Sequence, residues 1–249
     1  MKVVYHPRYE EVYSSDPAAA PGRMESILKE VSPHFEIVMA EPAAVDDIRL
    51  VHTEEHIKFI QSMGLTYEIA LLAAGGAIQA AELAMGGEPA FGLIRPPGHH
   101  ASQDHCWGFC FFNNTAISIA RLRKQGKIRT AVILDIDLHF GDGTAHIFQS
   151  TPEVAYFHPE GRERQQFMNT VSQFLAQARA DVVAVSAGFD RHEDDWGGLL
   201  KTADYETIGR LVKGFAQRVC GGRRYGVLEG GYNHDVLGIN VKALLDGMT

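Results

Sequence analysis

Residues 132–143 read VILDIDLHFGDG and join an apolar, β-branched run to polar side chains at alternate positions. Side chains of a strand alternate between its two faces, so Asp135, Asp137 and His139 are predicted to share one face. Buried carboxylates are unfavourable unless they are paired or bind a cation. The stretch therefore predicts a buried strand whose end needs a positive partner.

Apolar, β-branched runs alternate with helical patterns along the rest of the chain. The continuous apolar character of AVIL (131–134) and VVAVSA (182–187) favours strands covered on both faces, as in a parallel sheet. The alternation predicts a three-layer α/β/α fold with a central, mainly parallel sheet. Seven strands are predicted at 2–5, 35–39, 90–94, 130–137, 154–157, 181–187 and 224–230, and seven helices near 21–32, 54–62, 66–85, 114–125, 164–179, 204–219 and 234–246.

Composition and charge limit the classes of function. The 249 residues contain no repeat or linker-like tract, so a single domain over residues 1–249 is expected. The formal charge of −8 argues against nucleic-acid binding and favours cationic substrates such as amines. Three cysteines without a regular framework indicate a reducing compartment. With neither a signal-peptide core at the N-terminus nor an apolar run long enough to cross a bilayer, a cytoplasmic location without membrane contact is expected.

Polar motifs follow four of the predicted strands. In parallel α/β folds, ligands bind beyond the carboxyl ends of the strands. Four strand ends that each carry reactive side chains therefore predict an active site at one edge of the sheet. The motifs are RPPGHH (95–100), DLHFGDG (137–143), GFDRHEDD (188–195) and GGYNHD (230–235).

Asp137, His139 and Asp190 are the candidate metal ligands. Two carboxylates and one imidazole give a divalent ion three protein ligands and leave a position open for water, as in catalytic zinc sites. Asp190 has to come from a neighbouring strand. The alternative is that Asp190 caps a turn and Asp137 is a hydrogen-bonded buried carboxylate, but three uncompensated polar groups on one buried face favour a metal.

The consecutive His99 and His100 are candidates for proton transfer. Neighbouring histidines point in different directions, so one is interpreted as a general base and the other as an electrostatic or acid partner. Each needs a carboxylate to orient its ring, and Asp135 and Asp142 are available. The residues alone do not decide which histidine is the base.

Tyr232 follows two glycines at a strand end, where a loop can pass close to a ligand. Its phenol is a candidate donor to a developing oxyanion, and the alternative is a packing tyrosine at a helix start.

Together these motifs resemble the zinc-dependent histone deacetylase superfamily, which also includes acetylpolyamine amidohydrolases and acetoin-utilisation proteins. The resemblance runs from YHPRY (5–9) to the C-terminal helix. Its five ordered motifs are RPPGHHA (95–101), GFCFFNN (108–114), DIDLHFGDG (135–143), SAGFDRHEDD (186–195) and LEGGYN (228–233).

The resemblance implies an arginase–deacetylase type of fold and a zinc-dependent hydrolase that removes an acetyl or short acyl group from an acylated amine, such as acetyl-lysine or an acetylpolyamine. It implies one zinc ion per chain and a potassium ion partly on backbone oxygens of Asp135, Asp137 and His139. By residue, it implies zinc ligands Asp137, His139 and Asp190; a catalytic pair His99 and His100 supported by Asp135 and Asp142; an oxyanion donor Tyr232; and Phe109, with Gly108 and Gly231, beside the substrate.

One departure from the family pattern follows VAYFHPE (154–160). The family carries a glycine-rich loop and an Asn-Val-Pro-Leu-like stretch at this point, which form the opposite wall of the substrate tunnel. This chain runs almost directly into the next helix after His158. The substrate gorge is therefore predicted to be shallower or open on one side.

Two other functions are weighed against the deacetylase. A manganese ureohydrolase on the same fold would need further ligands to hold two ions close together. A degenerate member would bind acylated ligands without hydrolysing them, and the missing loop keeps this alternative open. The sequence does not distinguish a monomer from a homo-oligomer.

Overall fold

The computed structural model describes residues 1–249 and places seven parallel strands in one sheet. The strands are β1 (Lys2–Tyr5), β2 (Glu36–Met39), β3 (Ala90–Gly92), β4 (Ala131–Asp135), β5 (Val154–Phe157), β6 (Val182–Ala187) and β7 (Arg224–Leu228). Their spatial order is β2-β1-β3-β7-β6-β4-β5, and every neighbouring pair is parallel. The predicted α/β fold with a parallel central sheet is confirmed.

Helices cover both faces of this sheet. They are α1 (Arg23–Val31), α2 (Val45–Ile48), α3 (Glu54–Gln61), α4 (Leu65–Met85), α5 (Asn114–Lys124), α6 (Asp142–Phe148), α7 (Arg164–Gln177), α8 (Thr202–Val219) and α9 (His234–Met248). On one side α4 packs on β1, β3 and β7 and against α5; on the other, α8 packs on β6 and β7 and against α7 and α9. Every residue of β4, β6 and β7 is consequently buried.

The opening stretch departs from its prediction because β4 ends at Asp135, two residues early. A carboxylate oxygen of Asp135 accepts a hydrogen bond from the backbone N–H of Asp137 at 3.1 Å, so this amide is taken out of the sheet ladder. Asp137 and His139 therefore lie on a loop. The loop fold, and not strand alternation, brings their side chains together.

Helices α2 and α6 were not predicted from the sequence. Both are too short, at four and seven residues, for an apolar periodicity to show. Helix α6 matters for the site because Asp142 stands in its first turn.

Helix α4 corrects the expectation that no apolar run is long enough to cross a bilayer. Its 21 residues pass that test by length and composition, but 67% of its apolar window is buried inside the protein. Close packing accounts for this burial. A Cβ atom on Gly75 would overlap the backbone of Glu41, so the helix needs its small residues to lie this near.

Candidate active site

Four loops meet around one cavity at the carboxyl edge of the sheet. The strands they follow, β3, β7, β6 and β4, are consecutive neighbours. The sequence predicts four motifs at one edge, and the strand order makes those motifs adjacent. It brings together His99, Asp137, Asp190 and Tyr232, one from each loop.

The side chains of Asp137, His139 and Asp190 converge at the base of this cavity. One ligand atom from each lies within 4.8 Å of the others. Nδ1 of His139 is 3.4 Å from Oδ1 of Asp137 and 3.3 Å from Oδ2 of Asp190. Both carboxylates are almost completely buried, so their charges are poorly solvated. The predicted ligand set is therefore assembled in space.

The hydrogen bonds of this cluster leave one oxygen without a partner. Asp137 accepts from the backbone N–H groups of His139 at 2.9 Å and Gly230 at 2.8 Å, and Oδ1 of Asp190 accepts from Leu138 at 2.9 Å. Oδ2 of Asp190 is buried and has no hydrogen-bond partner. A buried carboxylate oxygen without a donor is costly, and a cation at this point would satisfy it.

The protonation equilibria also reflect the negative charge that is concentrated in this cluster. Burial, together with the nearby charge of Asp137, raises the pKa of Asp190 to about 7. The hydrogen bond to Asp137 and the nearby carboxylate of Asp190 raise the pKa of His139 to about 10. A divalent cation would replace the imidazolium proton as the partner of the two carboxylates. The donor set, two carboxylates and one imidazole, suits a catalytic zinc ion.

Two glycines make room for this cluster. A Cβ atom on Gly230 would lie 2.6 Å from Oδ2 of Asp137 and 2.8 Å from Oδ2 of Asp190, and one on Gly188 would overlap Asp137. Any larger residue at either position would push the carboxylates out of place.

His99 and His100 each have a carboxylate on Nδ1, as predicted. Nδ1 of His99 is 3.1 Å from Oδ2 of Asp135, and Nδ1 of His100 is 2.7 Å from Oδ1 of Asp142. The two rings are 4.1 Å apart, centre to centre. The ring nitrogens Nε2 are therefore left for the cavity and the metal cluster.

The two histidines differ in protonation. Burial alone would lower the pKa of His99, but the charges of Asp137 and Asp135 outweigh it and hold that pKa well above its usual value. Burial and the charge of His99 lower the pKa of His100 despite its bond to Asp142. Without a bound cation, these surroundings therefore favour the charged form of His99 and the neutral form of His100, which is able to accept a proton.

The cavity is small and largely aromatic. Its volume is about 130 Å³, and Trp107 and Trp196 stand at its rim, each just over half exposed. Trp196 stacks on Tyr232 with ring centres 4.0 Å apart. Such a volume fits a short acyl group. The lining residues are Pro97, His99, His100, Trp107, Gly108, Phe109, His139, Trp196, Gly230 and Tyr232.

Phe109 and Gly108 line the cavity, and their contact with substrate stays a prediction. Both have positive φ angles, 68° and 58°, and the ring of His100 packs where a Cβ of Gly108 would lie. Gly231 does not line the cavity, whereas its neighbour Gly230 does. The carbonyl of Gly231 accepts a hydrogen bond from Nε of Arg23 at 2.9 Å. A substrate contact by Gly231 stays a prediction.

Three residues of the site, Glu229 and the two tryptophans, were not predicted from the sequence. Glu229 is fully buried and accepts hydrogen bonds from the backbone N–H groups of Gly98 at 2.7 Å and His99 at 3.2 Å, so it holds the histidine loop. Burial raises its pKa to about 7. The available signal was a charged residue at the end of an apolar strand. The two tryptophans carried no comparable signal.

The connection between β5 and α7 is as short as the sequence indicates. Only residues 158–163 join the end of β5 at Phe157 to the start of α7 at Arg164. This connection is therefore too short to form the opposite wall of the substrate tunnel that the family pattern carries here. Trp196, from the loop after β6, lines the rim of the cavity.

Comparison with known protein families points to the same short connection. A family model described as a histone deacetylase domain matches residues 18–162 and 158–248. The match divides where the short β5–α7 connection lies. A probable deacetylase of Archaeoglobus fulgidus is 34% identical over 251 aligned positions, which cover 79% of this chain and 70% of the relative. This chain fills about 197 of those positions (79% of 249), so about 54 face a gap in it.

Two further comparisons bear on fold and chemistry. The acetylpolyamine amidohydrolase of Mycoplana ramosa is 32% identical over 222 positions, covering 74% of this chain and 63% of that protein. The crystal structure of the HDA15 HD domain superimposes with a TM-score of 0.81 at 22% identity, covering 98% of this chain and 88% of that structure. The second comparison shows the fold.

Proposed function

Because this chain belongs to the histone deacetylase family, we propose that it is a zinc-dependent hydrolase that removes an acetyl or short acyl group from an acylated amine. The deacetylases and the acetylpolyamine amidohydrolase among its relatives support deacetylase activity in general. Our proposal adds the zinc ion, a single catalytic domain over residues 1–249, and an amine such as acetyl-lysine or an acetylpolyamine.

The observation that carries the proposal is the unpartnered Oδ2 of Asp190, within 4.8 Å of ligand atoms of Asp137 and His139. These three residues would hold the zinc ion. When bound, the ion would polarise the amide carbonyl of the substrate and acidify the attacking water.

Proton transfer is assigned to His100, since its lowered pKa leaves it neutral at pH 7. His100 takes a proton from the water as its oxygen attacks the amide carbon. It returns that proton to the amine nitrogen as the C–N bond breaks, which releases a carboxylate and a free amine. Asp142 holds the ring of His100 through Nδ1 during both steps.

Charge in the transition state is stabilised by two other residues. His99, whose ring is held by Asp135 through Nδ1, would add a positive charge beside the reacting centre when protonated. Tyr232 lines the cavity, and burial raises the pKa of its phenol, so the O–H group remains available to donate to the oxyanion.

Acetate release from a panel of acetylated amines tests the proposal. Zinc-loaded protein is compared with Tyr232→Phe and with Tyr67→Phe, a control on α4 outside the cavity. We expect Tyr232→Phe to lose about 100-fold or more in kcat because an oxyanion donor is removed, and Tyr67→Phe to keep its activity.

The alternatives give different outcomes in the same experiment. A protein that binds one zinc ion and an acetylated amine but releases no acetate would be a non-hydrolysing binder, and the proposed activity would be wrong. Two bound metal ions per chain would favour the ureohydrolase.

A further inference from the structure

Arg191 lies directly behind the proposed metal ligands. It follows Asp190 in the chain, and only 6% of its surface is exposed. Its Nε donates a hydrogen bond to the backbone carbonyl of Asp137 at 2.9 Å, and its terminal nitrogen NH2 lies 3.3 Å from the carbonyl of Leu138. A buried guanidinium therefore holds two consecutive peptides of the loop that carries Asp137 and His139.

This arrangement conflicts with the potassium ion implied by the family resemblance. That ion would use backbone oxygens of Asp135, Asp137 and His139. The carbonyl oxygen of Asp137 lies 2.9 Å from Nε of Arg191 and 2.9 Å from Nε2 of His158. A carbonyl oxygen has two lone pairs, so these two nitrogens leave no direction open for a cation. The residues around Asp137 do not fit a monovalent ion.

We infer that the guanidinium of Arg191 replaces a monovalent cation in this protein, as a covalently attached charge that positions the Asp137 loop. The inference rests on the proposed function in that Asp137 is taken as a zinc ligand. It makes Arg191 a positioning residue. It also means that neither folding nor turnover needs potassium.

The short β5–α7 connection supplies the surroundings of this charge. His158 is the first residue after β5, and its Nε2 lies 2.9 Å from NH2 of Arg191. Because this Nε2 donates its proton to the carbonyl of Asp137, it cannot also accept one from the guanidinium, so the two side chains meet as donors on that carbonyl. The ring of Phe167, in the first turns of α7, lies 4.9 Å from the guanidinium carbon. A long loop at this point would separate His158 from α7, so we connect the shortening of the chain with the built-in cation.

The test compares potassium with choline, a cation too large for such a site, at constant ionic strength. Zinc-loaded protein is measured for kcat, KM and the unfolding midpoint Tm in each salt. For the unsubstituted protein we expect no difference between the salts in any of the three. A kcat or a Tm that rises with potassium would overturn the inference.

Arg191→Met removes the charge and opens the carbonyl of Asp137. In choline we expect Tm to fall by about 10 °C, because a buried charge network is broken. We expect kcat to fall by about 10-fold or more through displacement of Asp137, with KM less affected. Potassium should restore part of both losses. A variant that matches the original protein in choline would overturn the inference.

Arg224→Met is the matched control. Arg224 is also buried, at 5% exposed, and its Nε also donates to a backbone carbonyl, that of Met248 at 2.7 Å, but it is the first residue of β7, at the opposite edge of the sheet from the site. It should lose stability without any response to potassium, which separates a general structural loss from the loss of a cation.

Two further measurements cover the cases in which one variant or the activity fails. Arg191→Lys keeps the positive charge but loses the planar guanidinium with its fixed donors. The variant should therefore fold and turn over more slowly, and neither its kcat nor its Tm should respond to potassium. A potassium-stimulated lysine variant would overturn the inference. If the protein hydrolyses no acetylated amine, the proposed function fails, while the comparison of Tm in the two salts still decides the role of Arg191.

Discussion

The His99–Asp135 and His100–Asp142 pairs have the same chemistry and different surroundings. In each, a carboxylate meets Nδ1 and accepts a second hydrogen bond from an aromatic residue: Tyr156 donates to Asp135 at 2.9 Å, and the Trp107 indole donates to Asp142 at 2.9 Å. The side chain of Asp135 is 0% exposed, whereas that of Asp142 is 43% exposed. The first pair is an interior charge network and the second is open to water.

This difference in burial explains why the pKa values of the adjacent histidines shift in opposite directions. Near His99 the charges of Asp137 and Asp135 act in a poorly solvated interior and overcome desolvation, so its pKa rises. Near His100 the partner charge is screened by water, and desolvation and the charge of His99 lower its pKa. The comparison teaches that the surroundings of the carboxylate, more than its distance from the ring, decide what each histidine can do.

Asp135→Asn is expected to give the largest effect. It removes one of the two main charges that raise the pKa of His99 and keeps the shape, so that pKa falls and the ring is held less well. We expect kcat to fall by about 100-fold or more and the free energy of unfolding to fall by about 3 kcal/mol. Acetate release and urea unfolding measure these. A variant with full activity would show that a charged His99 is unnecessary.

Asp142→Asn should be milder and should change the pH profile. Asp142 raises the pKa of His100, so its removal lowers that pKa further. Because the base must be neutral, the acidic limb of the kcat/KM profile should move to lower pH. We expect about a 10-fold loss of kcat at pH 7, since the amide holds the ring less well. An acidic limb that moves to higher pH, or not at all, would argue against His100 as the base.

Tyr156→Phe tests the buried pair from its far side. The hydroxyl donates to Asp135 and accepts from the backbone N–H of Gly141 at 2.8 Å, so both groups lose a partner in a site that water reaches poorly. We expect the free energy of unfolding to fall by about 2 kcal/mol and kcat by less than in Asp135→Asn. Chemical unfolding checks the first value. No loss of stability would mean that water replaces the phenol.

Trp107→Phe is the matching change at the exposed pair and should have the smallest effect. It removes only the indole donor to Asp142, where water can take its place. We expect the free energy of unfolding to fall by less than about 1 kcal/mol. The acidic limb of the kcat/KM profile should not shift beyond the error of the titration. A loss as large as that of Tyr156→Phe would contradict the distinction drawn from burial.

The strands were predictable because their apolar runs are long and continuous. All seven predicted strands are present, and the errors lie at their ends, as where β4 stops at Asp135 and not at 137. That boundary depends on a local bond from Asp135 to the backbone of Asp137, which competes with the ladder and leaves no trace in a hydropathy pattern. Helices α2 and α6 were missed because four and seven residues are too few for an apolar periodicity to show.

The sequence by itself determined the class of fold and the candidate reactive residues, because β-branched periodicity and residue types in ordered motifs are local properties of the chain. Only the tertiary structure decided in which direction the pKa of each histidine shifts, which oxygen of Asp190 lacks a partner and which side chain holds the carbonyl of Asp137. These depend on burial and on contacts between strand ends far apart in sequence. Arg191 and His158 meet on the carbonyl of Asp137 from separate strands, and no spacing in the sequence encodes that meeting.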